Sequence, residues 1–234
     1  MAGKIMSQNG AETFRVEDTM IRMAQACHQP AQSFVTPTGI VFSLGTDNQT
    51  HLIRVSERRV NLNLVTEVNT ISRRFCSGHL SLSETHAALV AVEQSNHQYP
   101  VPLQILMAAI ASGCFLIMFG GVWNDFAAAV VCGGLGFALA LYLHHITRIR
   151  FFSEFLASLA LGLMAIGCTR IGIGEMEDKI IIASVMPLVP GLLITNAIRD
   201  LMAGHLMAGV AKGTEAVLTA MAIGAGVAVT LTLI

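Results

Sequence analysis

The chain has 234 residues, of which 53% are hydrophobic and only 12% are charged, and its mean hydropathy is +0.63. This balance argues against an ordinary soluble domain and is typical of an integral membrane protein. The formal net charge of −1 gives no reason to expect a nucleic acid partner. The five cysteines form no CxxC pair, so we expect neither a disulfide framework nor a metal centre.

Polar and apolar residues are unevenly distributed. Residues 1–100 carry eight of the fourteen Lys and Arg and contain no uninterrupted apolar run long enough to cross a bilayer. Residues 101–234 hold nearly all the long apolar runs. We therefore predict an α-helical membrane protein in which a small cytoplasmic α+β domain, residues 1–100, precedes a transmembrane domain of about five helices, residues 101–234. The first residues lack the apolar core of a signal peptide, so the first span is expected to direct membrane insertion.

The cytoplasmic domain shows alternating helical and strand patterns. Apolar residues at helical spacing predict an amphipathic helix with Phe14, Ile21 and Ala24 on one face, which we expect to pack within the domain. Ser81 and Glu84 form the sequence signature of a capping box. The predicted elements are a helix over 13–27, a loop or short extended segment over 29–36, strands over 39–44 and 51–55 joined by a turn at 45–48, and helices over 61–75 and 81–95.

Apolar runs of membrane-crossing length follow from Pro102 onward. We predict spans over residues 103–120, 126–143, 151–171, 180–198 and 216–233. With a cytoplasmic N-terminus, twelve of the fourteen Lys and Arg fall on the inner side, so the positive-inside rule predicts an external C-terminus. An odd number of spans would insert a homologous second half upside down, which is the geometry of an inverted repeat.

The fourth span is interrupted by Pro187, Pro190 and Gly191. A proline inside a helix removes a backbone hydrogen bond, and broken helices at membrane depth persist only where protein or a watery cavity surrounds them. Transporters use such breaks to direct helix ends at a substrate, and a helix that resumes after Gly191 could bind a carboxylate there. A simple proline kink, which membrane helices tolerate, is the alternative.

A polar group follows the break, formed by Thr195, Asn196, Arg199 and Asp200. On a helix, Asn196 shares one side with both Arg199 and Asp200, because these residues are three and four positions apart. Ionisable groups inside a membrane usually mark a transport pathway, so we predict that this group binds substrate. An interfacial arginine beside a solvated aspartate is the alternative.

Three carboxylates are candidates for proton coupling. Asp200 is one, and a glycine-rich connector over 199–215 leads from it to the second, Glu215. The third is Glu154, near the start of the third span, where an interfacial role is also open. The chain has no HExxH, GxSxG or P-loop motif. The sequence GIGE at 172–175 resembles the GxGD of intramembrane aspartyl proteases but has Glu where Asp is required, so we predict no catalytic residues.

One stretch resembles a known family. The motif PxxPG at 187–191 followed by NAIRD at 196–200 is similar to the threonine/serine exporter (ThrE) family, and within it to the split, YjjP-type N-terminal half. The segments FRVEDTMIRMAQA at 14–26 and HLIRVSERRVNLNLVTEVNTISRRF at 51–75 also resemble that family's cytoplasmic domain. The chain departs from the family at His205, where an acidic residue is expected.

The resemblance implies a secondary transporter of the inner cell membrane. It would export small amino acids such as threonine and serine, or small carboxylates, with proton coupling and without a cofactor. Full-length members have about twice the spans, so a separate small membrane protein is expected to supply the other half, and a homo-oligomer stays open. The alternative is a membrane assembly or regulatory subunit that transports nothing and whose cytoplasmic domain binds a ligand or a protein.

Overall fold

The structure is a computed structural model that describes residues 1–45, 49–56, 58–95 and 99–232. The described part contains helices α1 Ala2–Gln8, α2 Thr13–Ala26, α3 Leu62–Cys76, α4 Leu82–Gln94, α5 Val101–Met118, α6 Phe126–Thr147, α7 Arg150–Arg170, α8 Glu177–Val185, α9 Gly191–Met202 and α10 Leu206–Thr232, with strands β1 Ala31–Thr36, β2 Gly39–Leu44 and β3 Gln49–Arg54. The chain divides into two compact units, one of residues 1–98 with 192–214 and one of residues 99–191 with 215–234.

The first unit is built on an antiparallel sheet in the order β1-β2-β3. Ile40 on β2 pairs with Val35 on one side and Ile53 on the other, so successive strands place apolar side chains on one face. That face packs against the helices around fully buried Met6 and Val68. The sheet therefore has one covered face, as expected for a small antiparallel sheet.

Most of the elements predicted for this unit are confirmed, with three differences. Strand β2 has the predicted bounds, whereas β1 is a regular strand where a loop or short extended segment was predicted. Helix α1 was not predicted at all. On the predicted apolar face of α2, Ala24 is buried together with the neighbouring Val16, whereas Phe14 is 38% exposed. The predicted turn begins at Gly45, which has a positive φ of 77°, and its remaining residues 46–48 lie outside the described part.

The predicted capping box at the start of α4 is confirmed. The Glu84 backbone N–H donates to Ser81 Oγ at 3.3 Å, and the Ser81 backbone N–H donates to Glu84 Oε2 at 2.8 Å. The hydrogen bonds from the Ser81 backbone and hydroxyl lower the pKa of the Glu84 carboxyl below its ordinary value. Two of the four unpaired N-terminal amide groups are thus satisfied reciprocally.

The second unit is a bundle of apolar helices. In the described residues, four stretches are long and apolar enough to cross a membrane: Val101–Met118, Trp123–Thr147, Arg150–Arg170 and Leu206–Thr232. Helices α5 and α6 approach closely, since a Cβ on Gly134 would lie 3.0 Å from the Ala109 Cβ. Leu116, Cys132 and Ile180 are fully buried in its core.

The predicted interruption of the fourth span is present. Helix α8 tightens into a 3-10 turn over Met186–Leu188, the extended residue Val189 precedes Pro190, and α9 begins at Gly191. The two helical segments are bent by 60° at this break. Together they pass the length and hydropathy test for a span, so the described chain has four candidate spans, or five if the bent pair is one span.

Two helices extend beyond the predicted spans. Helix α10 begins at Leu206 rather than at 216, so the connector predicted over 199–215 is largely helical, and α6 continues to Thr147 rather than ending at 143. Tertiary packing overrides the low helix propensity of Gly209 here, because its bare Cα lets α10 approach α9. A Cβ at that position would lie 2.6 Å from Leu201 Cγ and 3.0 Å from the Ala197 carbonyl oxygen.

Candidate functional site

The first polar cluster of the structure is centred on Asp200, whose side chain is fully buried. Its Oδ1 accepts a hydrogen bond from the Thr13 backbone N–H at 2.9 Å, and its Oδ2 accepts one from Thr13 Oγ1 at 2.8 Å. Lys212 Nζ donates to Asp200 Oδ2 at 2.7 Å and to Thr13 Oγ1 at 3.1 Å. Asp200 is therefore not the solvated aspartate of the alternative interpretation.

The location of this carboxylate has a simple electrostatic reason. Thr13 is the first residue of α2, and the N–H groups of a first helical turn have no partner within the helix. A carboxylate at that end satisfies an N–H group and interacts favourably with the helix dipole. Lys212 then balances the buried negative charge, since an isolated buried carboxylate would be strongly disfavoured.

Two further contacts continue this cluster along the chain. Asn196 Nδ2 donates to the Gly10 carbonyl oxygen at 2.9 Å. The Arg199 guanidinium forms an ion pair with the Glu12 carboxylate, which is buried although Arg199 itself is mostly exposed. The predicted common side of Asn196, Arg199 and Asp200 is thus confirmed, and it holds residues 10–13 just before α2. We call this set of contacts the α9 clasp.

The turn between α9 and α10 sets the position of the clasp. The His205 N–H donates to the Asp200 carbonyl oxygen at 2.8 Å and the Gly204 N–H donates to the Leu201 carbonyl oxygen at 3.1 Å. These are the two bonds of a Schellman motif, and Gly204 has the left-handed φ of 86° that the motif requires. His205 also lies 3.7 Å from Glu17, measured from Nδ1 to Oε2, so the position that departs from the family faces a carboxylate of α2.

A second polar cluster lies in the other unit and is centred on Arg150. Arg150 Nε donates to Glu154 Oε1 at 2.9 Å, and Nη1 donates to Glu215 Oε1 at 3.1 Å. Two of the three carboxylates predicted for proton coupling therefore share one guanidinium. Glu154 is buried within the protein. We call this set the Arg150 bridge.

Two buried side-chain oxygens on α7 and α10 have no hydrogen-bond partner among the described residues. Glu154 Oε2 is buried and has no partner among the described residues. The same is true of Thr219 Oγ1, on a residue that is fully buried in α10. Buried polar atoms are rarely left unpaired, because an unmade hydrogen bond in the protein interior costs about 1–3 kcal/mol. An unpaired atom in a native site is therefore a reason to look for a ligand.

The residues of the helix break make local contacts. Pro187 lies in the 3-10 turn after α8, and the Gly191 N–H donates to the Val189 carbonyl oxygen at 2.8 Å. Thr195 Oγ1 donates to the Leu192 carbonyl oxygen at 3.1 Å. Pro190 is followed directly by the first residue of α9, so this proline occupies a position where its missing N–H is not needed.

Another buried carboxylate, Asp125, lies close to the GIGE sequence at 172–175 that resembles an intramembrane protease motif. Its Oδ1 accepts the Glu175 backbone N–H at 2.5 Å, while the Glu175 side chain accepts a hydrogen bond from Asn124 Nδ2 at 3.0 Å. The contact between Asp125 and Glu175 thus involves a backbone group, as in a loop anchor. Among the residues that the structure describes, no three His, Cys, Asp or Glu side chains are grouped so as to hold a metal ion.

Sequence reasoning missed the partners in both clusters. Thr13 and Glu12 are 187 positions away from the residues they bind, so no local pattern connects them. Lys212 carried a usable signal, since a lone lysine in an apolar, glycine-rich segment needs a buried counter-charge. Thr219 carried none, because threonine is common in membrane helices.

Comparison with known proteins gives a consistent result. A family model described as "Putative threonine/serine exporter" (ThrE) matches residues 1–234. The "Probable succinate transporter subunit YjjP" of Klebsiella aerogenes is 27% identical over 97% of this chain and 88% of the relative, and the protein of the same name in Escherichia coli K12 is 27% identical over 99% and 91%. The "Probable threonine/serine exporter" of Mycobacterium tuberculosis is 23% identical over 97% of this chain but only 44% of the relative. No solved structure matches.

Proposed function

Because this chain belongs to the threonine/serine exporter family, we propose that it is a subunit of a secondary transporter that exports small amino acids such as threonine and serine, or small carboxylates. The match of the family model over the whole chain is the observation that carries this proposal. The candidate spans support it, since a multi-pass membrane protein is what such a transporter requires. The relatives named above for succinate supply the carboxylate part of the proposal.

The transporter would be completed by a separate small membrane subunit. Two relatives of nearly the same length are named as subunits. The Mycobacterium exporter aligns with this chain over only 44% of its own length, which leaves room there for a second half in the same polypeptide. With a cytoplasmic N-terminus and five spans, such a half would be inserted in the opposite orientation.

The two polar clusters would have different roles in transport. The break at Pro187 and Pro190 would give the substrate a path past the start of α9, with Gly191 and Thr195 beside it. Within the Arg150 bridge, Glu215 would carry the coupling proton, because its protonation would release the ion pair with Arg150. Asn196, Arg199 and Asp200 would act through the α9 clasp, since their side chains are bonded to residues 10–13 and Lys212.

Export of labelled threonine, serine and succinate from cells tests this proposal. The cells express the chain with and without a candidate second subunit, and membrane levels of both proteins are measured in parallel. We expect efflux of at least one of the three compounds only when both proteins are present. Equal efflux without the second subunit would contradict the split architecture. Absence of efflux with both proteins stably in the membrane would contradict transport itself.

A second candidate function is favoured by the α9 clasp. The residues that the family resemblance highlights bind the chain's own N-terminal segment, as a purely structural or regulatory subunit would require. Arg199→Ala distinguishes the two candidates, because the Arg199 side chain is mostly exposed and its loss leaves Asp200 paired. Loss of flux with intact assembly supports the transporter, whereas loss of assembly alone supports the regulatory subunit.

A further inference from the structure

The described part of the second unit has three buried side-chain oxygens without a hydrogen-bond partner, on Asp125, Glu154 and Thr219. Glu154 Oε2 and Thr219 Oγ1 lie in the same interval between two helices. Glu154 is on α7, between Arg150 and Ser158, and Thr219 is on α10, between Glu215 and Gly226. The spacings of four and seven residues place each set on one side of its helix. The two sides face each other, because Arg150 binds Glu215 at one end of the interval.

The other end of the interval is closed by direct helix contact. A Cβ on Gly226 would lie 2.5 Å from the Phe155 carbonyl oxygen and 3.0 Å from Ser158 Cβ. Farther toward the C-terminal ends of both helices, Thr230 Oγ1 on α10 lies 3.3 Å from the Leu159 carbonyl oxygen on α7, so the two helices remain in contact there. The two unpartnered oxygens therefore lie between an ion pair and a tight backbone contact.

The chemistry of these atoms defines what they can bind. Glu154 Oε2 is an acceptor, and the Thr219 hydroxyl, which has no partner in the described chain, has two acceptor lone pairs. A group with several N–H donors and a positive charge satisfies both. Beside them the Arg150 guanidinium has five N–H donors, of which two make the named bonds to Glu154 and Glu215.

A group that pairs two acceptors with a neighbouring guanidinium is complementary to a zwitterion. We propose that Glu154 and Thr219 bind the ammonium group of an amino-acid substrate, with Arg150 next to its carboxylate. A sodium ion fits less well, because cations of this class need about six oxygen ligands and the interval offers few. This inference rests on the proposed transport function and selects the amine-bearing substrates from the two substrate classes named there.

Serine, glycerate and ethanolamine are the probes that test it. Glycerate carries a hydroxyl where serine carries the amine, and ethanolamine lacks the carboxylate. The assay is export of labelled serine from cells that express the chain with its second subunit, with each unlabelled compound as competitor. We expect serine to compete at least about ten-fold better than glycerate, as for the loss of a hydrogen bond to a charged group. Ethanolamine should compete better than glycerate but less well than serine.

Two variants locate the ammonium subsite. Thr219→Val replaces the hydroxyl by a methyl group of similar size and should raise the half-saturating serine concentration about ten-fold. Thr219→Ser keeps the hydroxyl and should leave that concentration close to the wild-type value. Glu154→Gln should abolish the preference for serine over glycerate. Thr230→Val is the matched control on the same side of α10, because Thr230 Oγ1 is bonded to the Gly226 carbonyl oxygen at 3.0 Å, and it should leave that preference unchanged.

Different failures have different meanings. Efflux of succinate or glycerate equal to that of serine, or an unchanged serine response in Thr219→Val, would overturn the ammonium subsite while leaving transport intact. Absence of any efflux would remove the proposed function instead. In that case the purified chain is titrated with serine and glycerate, and serine-specific thermal stabilisation that Glu154→Gln abolishes would still support the subsite. Equal or absent stabilisation by the two compounds would overturn it.

Discussion

The α9 clasp and the Arg150 bridge each contain a buried carboxylate, yet they differ in how completely that carboxylate is bonded. Around Asp200, three hydrogen bonds from Thr13 and Lys212 converge on one carboxylate. Around Arg150, Glu154 keeps one carboxylate oxygen that has no partner in the described part of the chain. A buried network in which every polar atom is paired stabilises one arrangement of its elements. A network with an unpaired atom is stabilised further when a ligand supplies the missing hydrogen bond. Stability should therefore depend on the first cluster, and transport should depend on the second.

The largest expected effect comes from Asp200→Ala. The variant leaves the Lys212 ammonium buried without its carboxylate and removes the partner of the α2 N-terminus, so we expect a loss of about 3–5 kcal/mol of stability. The midpoint of thermal unfolding of the purified protein measures it. Asp18→Asn, which removes an exposed ion pair with Arg22, is the control and should change little. An unfolding midpoint of Asp200→Ala equal to that of the wild type would break the comparison.

Replacement of Gly209 by alanine tests the packing that supports the clasp. The new Cβ would lie 2.6 Å from Leu201 Cγ and 3.0 Å from the Ala197 carbonyl oxygen, so we expect a loss of about 1–3 kcal/mol. Gly213→Ala, one turn later on the same helix, is the matched control. Its Cβ would make an ordinary contact of 3.8 Å with Ala197, and its stability should rise by up to about 1 kcal/mol. Equal effects of the two substitutions on the unfolding midpoint would contradict close packing at Gly209.

The Arg150 bridge should respond in the opposite way. Arg150→Lys keeps the positive charge but loses the planar group that reaches two carboxylates at once. The Arg150 side chain is 40% exposed, so the stability change should stay within about 1 kcal/mol. Serine export per molecule in the membrane should fall strongly. A large drop in the unfolding midpoint with unchanged export would show that this bridge is structural as well.

The smallest expected effect on stability concerns the capping box of α4, whose residues belong to neither cluster. The pKa of Glu84 is lowered in the folded state, so its stabilising contribution is present above the ordinary value of 4.5 and is lost as pH falls through the lowered value. Glu84→Gln keeps a hydrogen-bonding side chain without this titration. Between pH 6 and pH 3, the unfolding midpoint of the variant should fall slightly less than that of the wild type, and equal curves would contradict the assigned cause.

The sequence predicted what local physics determines. The capping residues Ser81 and Glu84 lie three positions apart, and the break at Pro187 and Pro190 follows from the missing proline N–H, so both were predictable. The common side of Asn196, Arg199 and Asp200 followed from helical spacing. Their partners in residues 10–13 did not follow, because these lie 186 or 187 positions earlier, and only a fold brings such residues together.

The connector over 199–215 shows the opposite limit. Its glycines predict irregular structure by propensity, yet all but a short turn of it is helix. Close approach of α10 to α9 makes a residue without a side chain necessary at Gly209, so the same glycine that weakens an isolated helix permits the packing that stabilises this one. Propensity and packing make opposite predictions at this position, and a single sequence does not say which is stronger.

The discontinuous composition of the first unit has a consequence for biosynthesis. The unit combines residues 1–98 with residues 192–214. The second of these segments leaves the ribosome only after α5 to α8 have been made. Until then the N–H group at the start of α2 has no Asp200 to bind, and the surface that receives α9 is uncovered. The early polypeptide is thus an incomplete unit that waits for its last segment while the apolar helices enter the bilayer, and it is most exposed to proteases and chaperones during that interval.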